Sequence, residues 1–262
     1  MKMTIVFISA SLPDMNIAVG LAALTAVSTF VGGFLAHRSR DRLHLTLGLA
    51  AGLLFGLVAF DLLPEVFQIN TSTIGNVPTV SIALVAGFFA LHFTEQFFAS
   101  HEPSESDYGH EHNHASNIAG TLGGLAMGGH VFLDGVALGV AFQVSHALGL
   151  AVFIAILAHA FSYGLNTVSF LIKGGHWKKR ALWLLGLDAL MRVSGAALGA
   201  RITLSQPLLG IYLAVFSGFV IYLATSHILP EAHSRHPSKL TMLATVMGVV
   251  VMWLVVGHIG RV

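Results

Sequence analysis

A chain of 262 residues that is 55% hydrophobic, only 10% charged and of mean hydropathy +0.79 cannot cover itself with the solvated shell of a soluble domain. The composition excludes a soluble enzyme, a nucleic-acid module and a disordered chain, and with a net charge of +1 it offers nucleic acid no basic face. Cysteine is absent while histidine, at 15, outnumbers lysine and arginine together at 13, so any metal chemistry must run on imidazole and carboxylate.

A membrane-crossing helix needs about 20 mostly apolar residues. Eight such runs follow one another, at 16–36, 45–67, 80–99, 118–142, 147–172, 181–200, 207–230 and 239–259. They use up the chain, which is therefore expected to be an all-α polytopic membrane protein forming one transmembrane domain over 1–262. Residues 1–12 read as a leading segment of the first helix, with a signal peptide as the alternative. Asn70, Thr71 and Ser72 form a sequon. The one long polar connector, 100–117, carries His101, His110, His112 and His114, a pattern that binds metal loosely or simply solvates a linker.

Basic residues set the orientation. The connectors after spans one, three, five and seven hold Arg38, Arg40, Arg42, Lys173, Lys178, Lys179, Arg180, Arg235 and Lys239, whereas the opposite side holds Lys2, Arg201 and Arg261. This predicts a cell membrane protein, inner or plasma, with both termini outside and the His-rich connector in the cytoplasm. Span two closes with Asp61, Leu62, Leu63, Pro64 and Glu65, and span seven with His227, Ile228, Leu229, Pro230 and Glu231. By the charge count these two spans run in opposite directions, and each is second in a group of three. The pattern predicts an inverted repeat of spans 1–3 and 6–8, as found in transporters, although two unrelated proline helix stops would also produce it.

Ionisable groups in mid-membrane are costly and mark function. Span four places His130 and Asp134 four residues apart, on one helix face; span five places His159, Tyr163 and Asn166 on one stripe, with Ser162 beside it. Span six adds Asp188 and, one turn on, Arg192, which would neutralise it locally. Two neighbouring helices that each present histidine and an oxygen donor suit a divalent cation; the alternative is a hydrogen-bonded pair joining spans four and five. His92 and Glu95 share a face of span three and are expected to be accessory. The glycines of span four, including the 124/128 and 135/139 spacings, fit close helix contact or motion equally well.

These residues resemble the ZIP (Zrt/Irt-like) family of divalent-metal transporters. The family motif H-N-x-P-E-G of span four stands here as His130, Val131, Phe132, Leu133, Asp134 and Gly135. The span-five motif H-E-x-P-H/E-E/G stands as His159, Ala160, Phe161, Ser162, Tyr163 and Gly164. The resemblance implies a 3+2+3 arrangement of eight transmembrane helices, with spans 1, 4, 5 and 6 moving against 2, 3, 7 and 8. Val131, Ala160 and Tyr163 stand where the family has ligands of a second metal, and Leu133 and Ser162 where it has prolines.

What carries over is one site: His130, Asp134 and His159, with Asp188 at the family's acidic position on span six. Tyr163 and Asn166 are local oxygen donors. Charge in that site sums to zero with a dication only if Asp188 joins Asp134 and Arg192 points away. The resemblance implies transport of Zn²⁺, Fe²⁺ or Mn²⁺ toward the cytoplasm, no required cofactor, a lipid bilayer around the chain and no nucleic-acid partner, with a homodimer admissible. It also implies that the chain is not an enzyme. Two other readings of the same residues are an intramembrane metal-dependent hydrolase and a degenerate member that senses metal.

Overall fold

The computed structural model describes residues 12–36, 43–99, 115–173, 177–235 and 238–259. They form ten α-helices: α1 (Leu12–Ala36), α2 (Leu43–Leu57), α3 (Leu63–Ile69), α4 (Thr79–Ala99), α5 (Ala115–Val144), α6 (His146–Lys173), α7 (Trp177–Gly199), α8 (Gln206–Tyr222), α9 (Leu229–Arg235) and α10 (Lys239–Ile259). Each of the eight apolar runs is helical. The helix of the fourth run begins at Ala115, inside the segment assigned from sequence to the connector. Four helical stretches, Met15–Gly32, His44–Ile69, Gln206–His233 and Lys239–His258, are long and apolar enough to cross a membrane. The outer faces agree with that: Leu24 and Val27 on α1, Trp183 and Leu190 on α7, and Leu243, Val246 and Trp253 on α10 are all exposed. The chain is an all-α membrane protein.

Runs two and seven are not single α-helices. Each contains a π-helical turn, Val58–Leu62 and Leu223–Ile228, placed immediately before the Leu-Pro-Glu triplet. Proline has no N–H to donate and its ring crowds the preceding turn. The helix answers by widening: the Leu63 N–H reaches back five residues to the Val58 carbonyl, and the Leu229 N–H to that of Ala224. The two prolines thus produce the same local deformation in two segments far apart in sequence.

Between α3 and α4 lies the one strand pair among the described residues, Thr73–Ile74 (β1) against Val77–Pro78 (β2), with Thr73 opposite Pro78 and Ile74 opposite Val77. Gly75 turns it at φ +63°, a conformation that favours glycine. The sequon residue Asn70 is buried here. Its Nδ2 donates to the Pro207 carbonyl at 2.9 Å, and its Oδ1 accepts from Ser72 N–H at 2.9 Å and the Ser72 hydroxyl at 2.6 Å. This asparagine is a structural pin between the hairpin and the start of α8.

Helices pack in four long pairs: α1 on α6, α5 on α7, α2 on α10 and α4 on α8. Further contacts join α1, α5, α6 and α7 to one another, while α8 also packs on α3 and the Leu223–Ile228 turn. Buried leucines fill the interior, among them Leu54, Leu57 and Leu62, Leu138 and Leu148, and Leu213. Since lipid is as apolar as leucine, burial alone cannot hold such helices together; close backbone approach does. Gly135 shows this. A Cβ there would strike the Arg192 carbonyl of α7, so α5 and α7 meet without any intervening side chain. Ser145, the single residue between α5 and α6, accepts from the Leu148 N–H at 3.0 Å and so caps α6 directly after α5 ends. The tight joint at Ser145 and the glycine contact at Gly135 together set α5 between α6 and α7.

Candidate metal centre

Three helices bring charged and imidazole groups into that narrow space. From α5 come His130 and Asp134, from α6 His159, and from α7 Asp188 and Arg192. Asp134, His159, Asp188 and Arg192 are buried, and His130 is partly so. The acceptor at the focus is Asp134 Oδ2. His159 Nε2 lies 2.9 Å from it, His130 Nε2 3.6 Å and an Arg192 guanidinium nitrogen 3.8 Å. The two imidazole rings are 6.1 Å apart, centre to centre.

The backbone orients His159. Its Nδ1 is 3.0 Å from the Ala155 carbonyl one turn back, and a carbonyl can only accept, so Nδ1 carries the proton. That hydrogen bond fixes the ring and aims Nε2 at Asp134, the arrangement that makes a histidine a good ligand. One ligand atom each from His130, Asp134 and His159 falls within a mutual 4.8 Å. Zn–N and Zn–O bonds are about 2.0–2.2 Å, so tetrahedral ligands on one ion stand about 3.3–3.6 Å apart. The two pairs that include Asp134, at 2.9 and 3.6 Å, are near that spacing, and the widest pair needs to close by at most about 1.5 Å. The group's chemistry, two nitrogens and one carboxylate, is that of a borderline divalent metal.

The sequence expectations meet this geometry unevenly. His130 and Asp134 share a face as their spacing predicts, and His159 of the next helix meets them. Asp188 is near, but it pairs with Arg192, whose Nη2 is 3.5 Å from Oδ1, and with the Thr29 hydroxyl of α1. Arg192 does not point away, as the charge sum for a ligating Asp188 required. It lies 3.8 Å from Asp134, across an α5–α7 contact in which Gly135, Gly139, Gly195 and Gly199 bring the two backbones together. Tyr163 and Asn166 fall within α6, but their side chains lie outside the described ones, and His110, His112 and His114 lie outside the described residues. His92 turns to α8, with Nδ1 3.3 Å from the Tyr222 hydroxyl, and the side chain of Glu95 is not among those described. The tertiary contact of Arg192 with Asp134 escapes the sequence reading, since only the in-helix Asp188–Arg192 spacing is visible in one dimension. Tyr212 of α8 escapes it too: its hydroxyl is buried without a hydrogen-bond partner and lies within electrostatic range of Asp134.

Comparison with known proteins bears on this centre. Residues 99–256 match the family model described as ZIP Zinc transporter. The chain is 30% identical to "Zinc transporter ZIP9" of Xenopus tropicalis over 201 residues, covering 68% of this chain and 65% of that protein. It is 24% identical to "Zinc transporter YKE4" of Saccharomyces cerevisiae over 228 residues, covering 77% of this chain and 66% of that protein. "Zinc transporter SLC39A7" of Canis lupus familiaris is 29% identical over 154 residues, 54% of this chain and 32% of that protein. The chain thus spans just under two thirds of the length of the first of these relatives. The matched region contains His130, Asp134, His159, Asp188 and Arg192, the whole of the buried cluster, and the chain belongs to the ZIP zinc transporter family.

Proposed function

We propose that this chain is a divalent-metal carrier, not an enzyme, and that it passes zinc, or iron or manganese, toward the cytoplasm through a buried site on spans four and five. The observation that carries the reading is the convergence of His130 Nε2 and His159 Nε2 on one buried oxygen of Asp134, inside the region matching the ZIP family. The ion is the substrate of the site. His130, Asp134 and His159 ligate it; Tyr163 and Asn166 on the same helix as His159 complete its coordination; and His110, His112 and His114 receive it on the cytoplasmic side. No other cofactor is needed.

The scaffold in this reading is one transmembrane domain of eight spans in a 3+2+3 arrangement, in the cell membrane, with both termini outside. Two observations support the inverted repeat of spans 1–3 and 6–8. The π-turn before a proline recurs in spans two and seven. The helix pairing also maps onto itself: span one packs on five as six packs on four, and span two on eight as seven on three. The contacts among α1, α5, α6 and α7 supply a body that could move against the rest while carrying the site. Family membership favours this carrier over an intramembrane hydrolase; a degenerate member that only senses metal is separated from it by flux.

The test is metal uptake into proteoliposomes holding the purified chain, with Zn²⁺, Fe²⁺ and Mn²⁺ compared and His130→Ala beside wild type. Uptake that collapses in the variant is the expected result. Stoichiometric binding without flux would replace the carrier by a sensor. No binding at all would return the cluster to a structural role.

A further inference from the structure

Among the described lysines and arginines, Arg192 alone is buried. Its position is unusual for a buried guanidinium. Such groups normally fork onto one carboxylate with two short bonds of about 2.7–2.9 Å. Arg192 instead lies between two carboxylates and holds neither closely: Nη1 is 3.8 Å from Asp134 Oδ2, and Nη2 is 3.5 Å from Asp188 Oδ1. Its Nε and Nη1 have no hydrogen-bond partner, and neither has Asp188 Oδ2. The arginine addresses the same Asp134 oxygen as both histidines. Any dication taken up by His130, Asp134 and His159 must therefore meet a cation already directed at its carboxylate ligand.

We propose that Arg192 is a tethered competitor of the transported ion, sharing Asp134 with the histidines and withdrawing onto Asp188 when a dication binds. This rests on the metal site proposed above. Asp188 is then a positioning residue: it sits one helical turn before Arg192, is buried beside it, and has a free oxygen, Oδ2, to complete a fork once Asp134 is given up. The charge balance explains what the device does. Asp134 and Asp188 with Arg192 leave one negative charge, so a bound dication brings the cluster to one positive charge, unfavourable in a low-dielectric interior. Without Arg192 the same cluster would be neutral and would hold its ion. A carrier must release what it binds, and a cation on a tether returns to Asp134 as the ion leaves.

The proposal predicts a pattern that direct ligation by Asp188 does not. Zn²⁺ is titrated into the purified full chain in detergent near neutral pH, comparing wild type, R192Q, D188N, the D188N/R192Q pair, R192K and H159A. R192Q should bind Zn²⁺ about tenfold or more tightly, because the opposing charge is gone. D188N should bind about tenfold more weakly, since the arginine then has only Asp134 to hold. The pair should bind at least as tightly as wild type, and R192K should stay near wild type. Unchanged or weaker binding by R192Q, or a pair no tighter than D188N, overturns the proposal. Should R192Q not fold, the charge-balanced pair against wild type decides alone: weaker binding overturns it. H159A tests the underlying site separately: binding that survives in H159A sinks the site, whereas loss in H159A with no gain in R192Q sinks only the role of the arginine.

Discussion

His159 on α6 sets its Nε2 2.9 Å from Oδ2 of Asp134 on α5 while its Nδ1 donates to the Ala155 carbonyl. One side chain thus ties two helices and presents a directed nitrogen to a buried carboxylate. In the neutral ring Nε2 is then a bare lone pair facing a carboxylate oxygen, so the contact is held either by a second proton, as an interhelical hydrogen bond, or by a cation. His130 Nε2, 3.6 Å from the same oxygen, adds a third ligand atom that a simple hydrogen-bonded pair does not require.

The first prediction separates those roles. Asp134→Asn keeps the shape of the residue and its ability to hydrogen-bond, but removes the charge a dication needs. Thermal unfolding of the detergent-solubilised variant should change little, within about 1 kcal/mol, because a neutral amide replaces the carboxylate in the same contact. Zn²⁺ uptake in proteoliposomes should fall by more than about a hundredfold, beyond the roughly 10–100-fold that loss of an outer-shell group costs. Wild-type uptake by Asp134→Asn would leave the contact a structural one.

Acid should weaken the carrier. Both histidines must offer an unprotonated Nε2 to a metal, so protons and the ion compete for the same nitrogens and affinity falls with acidity. The comparison is made at about pH 7.5 and about pH 5.5, which bracket the ordinary imidazole range. Initial Zn²⁺ uptake rates at subsaturating metal should be severalfold lower at the acid end, with the difference shrinking at saturating metal. Equal rates at both pH values would place the slow step away from this site.

Much of this was legible in one dimension because membrane helices write themselves as apolar runs. All eight runs are helices, and the His130–Asp134 pair needed only the i, i+4 geometry of a helix face. The π-turns were half legible: Pro64 and Pro230 flagged a break, but hydropathy is blind to whether a helix kinks, ends or widens. Arg192 was half legible. Its pairing with Asp188 follows from their i, i+4 spacing on α7, whereas its reach to Asp134 depends on how closely α7 approaches α5 at Gly135, Gly139, Gly195 and Gly199. Seeing that required knowing which helix those glycines face.

Asn70 offers a prediction away from the site. It makes three hydrogen bonds from a buried position, to the Pro207 carbonyl and to the Ser72 N–H and hydroxyl. Asn70→Ala leaves the Pro207 carbonyl without that donor and should cost about 1–3 kcal/mol, read as a lowered unfolding temperature in detergent. Expressed where sequons are glycosylated, the folded chain should also carry no sugar at Asn70, since its Nδ2 is engaged. A glycosidase-sensitive mass shift that disappears in Asn70→Gln would contradict the burial.

The α5–α7 contact should be the least tolerant of added volume. At Gly135 a Cβ meets the Arg192 carbonyl, and backbone cannot swing aside as a side-chain tip can. Gly135→Ala must therefore push α7 outward and draw Arg192 and Asp188 away from Asp134. Overpacking of this kind costs about 1–3 kcal/mol, so Gly135→Ala should unfold at lower temperature than wild type. Gly20 on α1 is the control, having nothing within 4 Å of its added Cβ; Gly20→Ala should be neutral or slightly stabilising. The two variants also separate packing from the electrostatic role of Arg192. Moving α7 outward weakens the guanidinium's hold on Asp134 without changing any charge. Where Gly135→Ala still folds, its Zn²⁺ affinity should therefore shift in the same direction as that of R192Q, by a smaller factor. A Gly135→Ala chain as stable as wild type and unchanged in Zn²⁺ affinity would mean that α5 and α7 are not in backbone contact, and that some other feature places Arg192 beside Asp134.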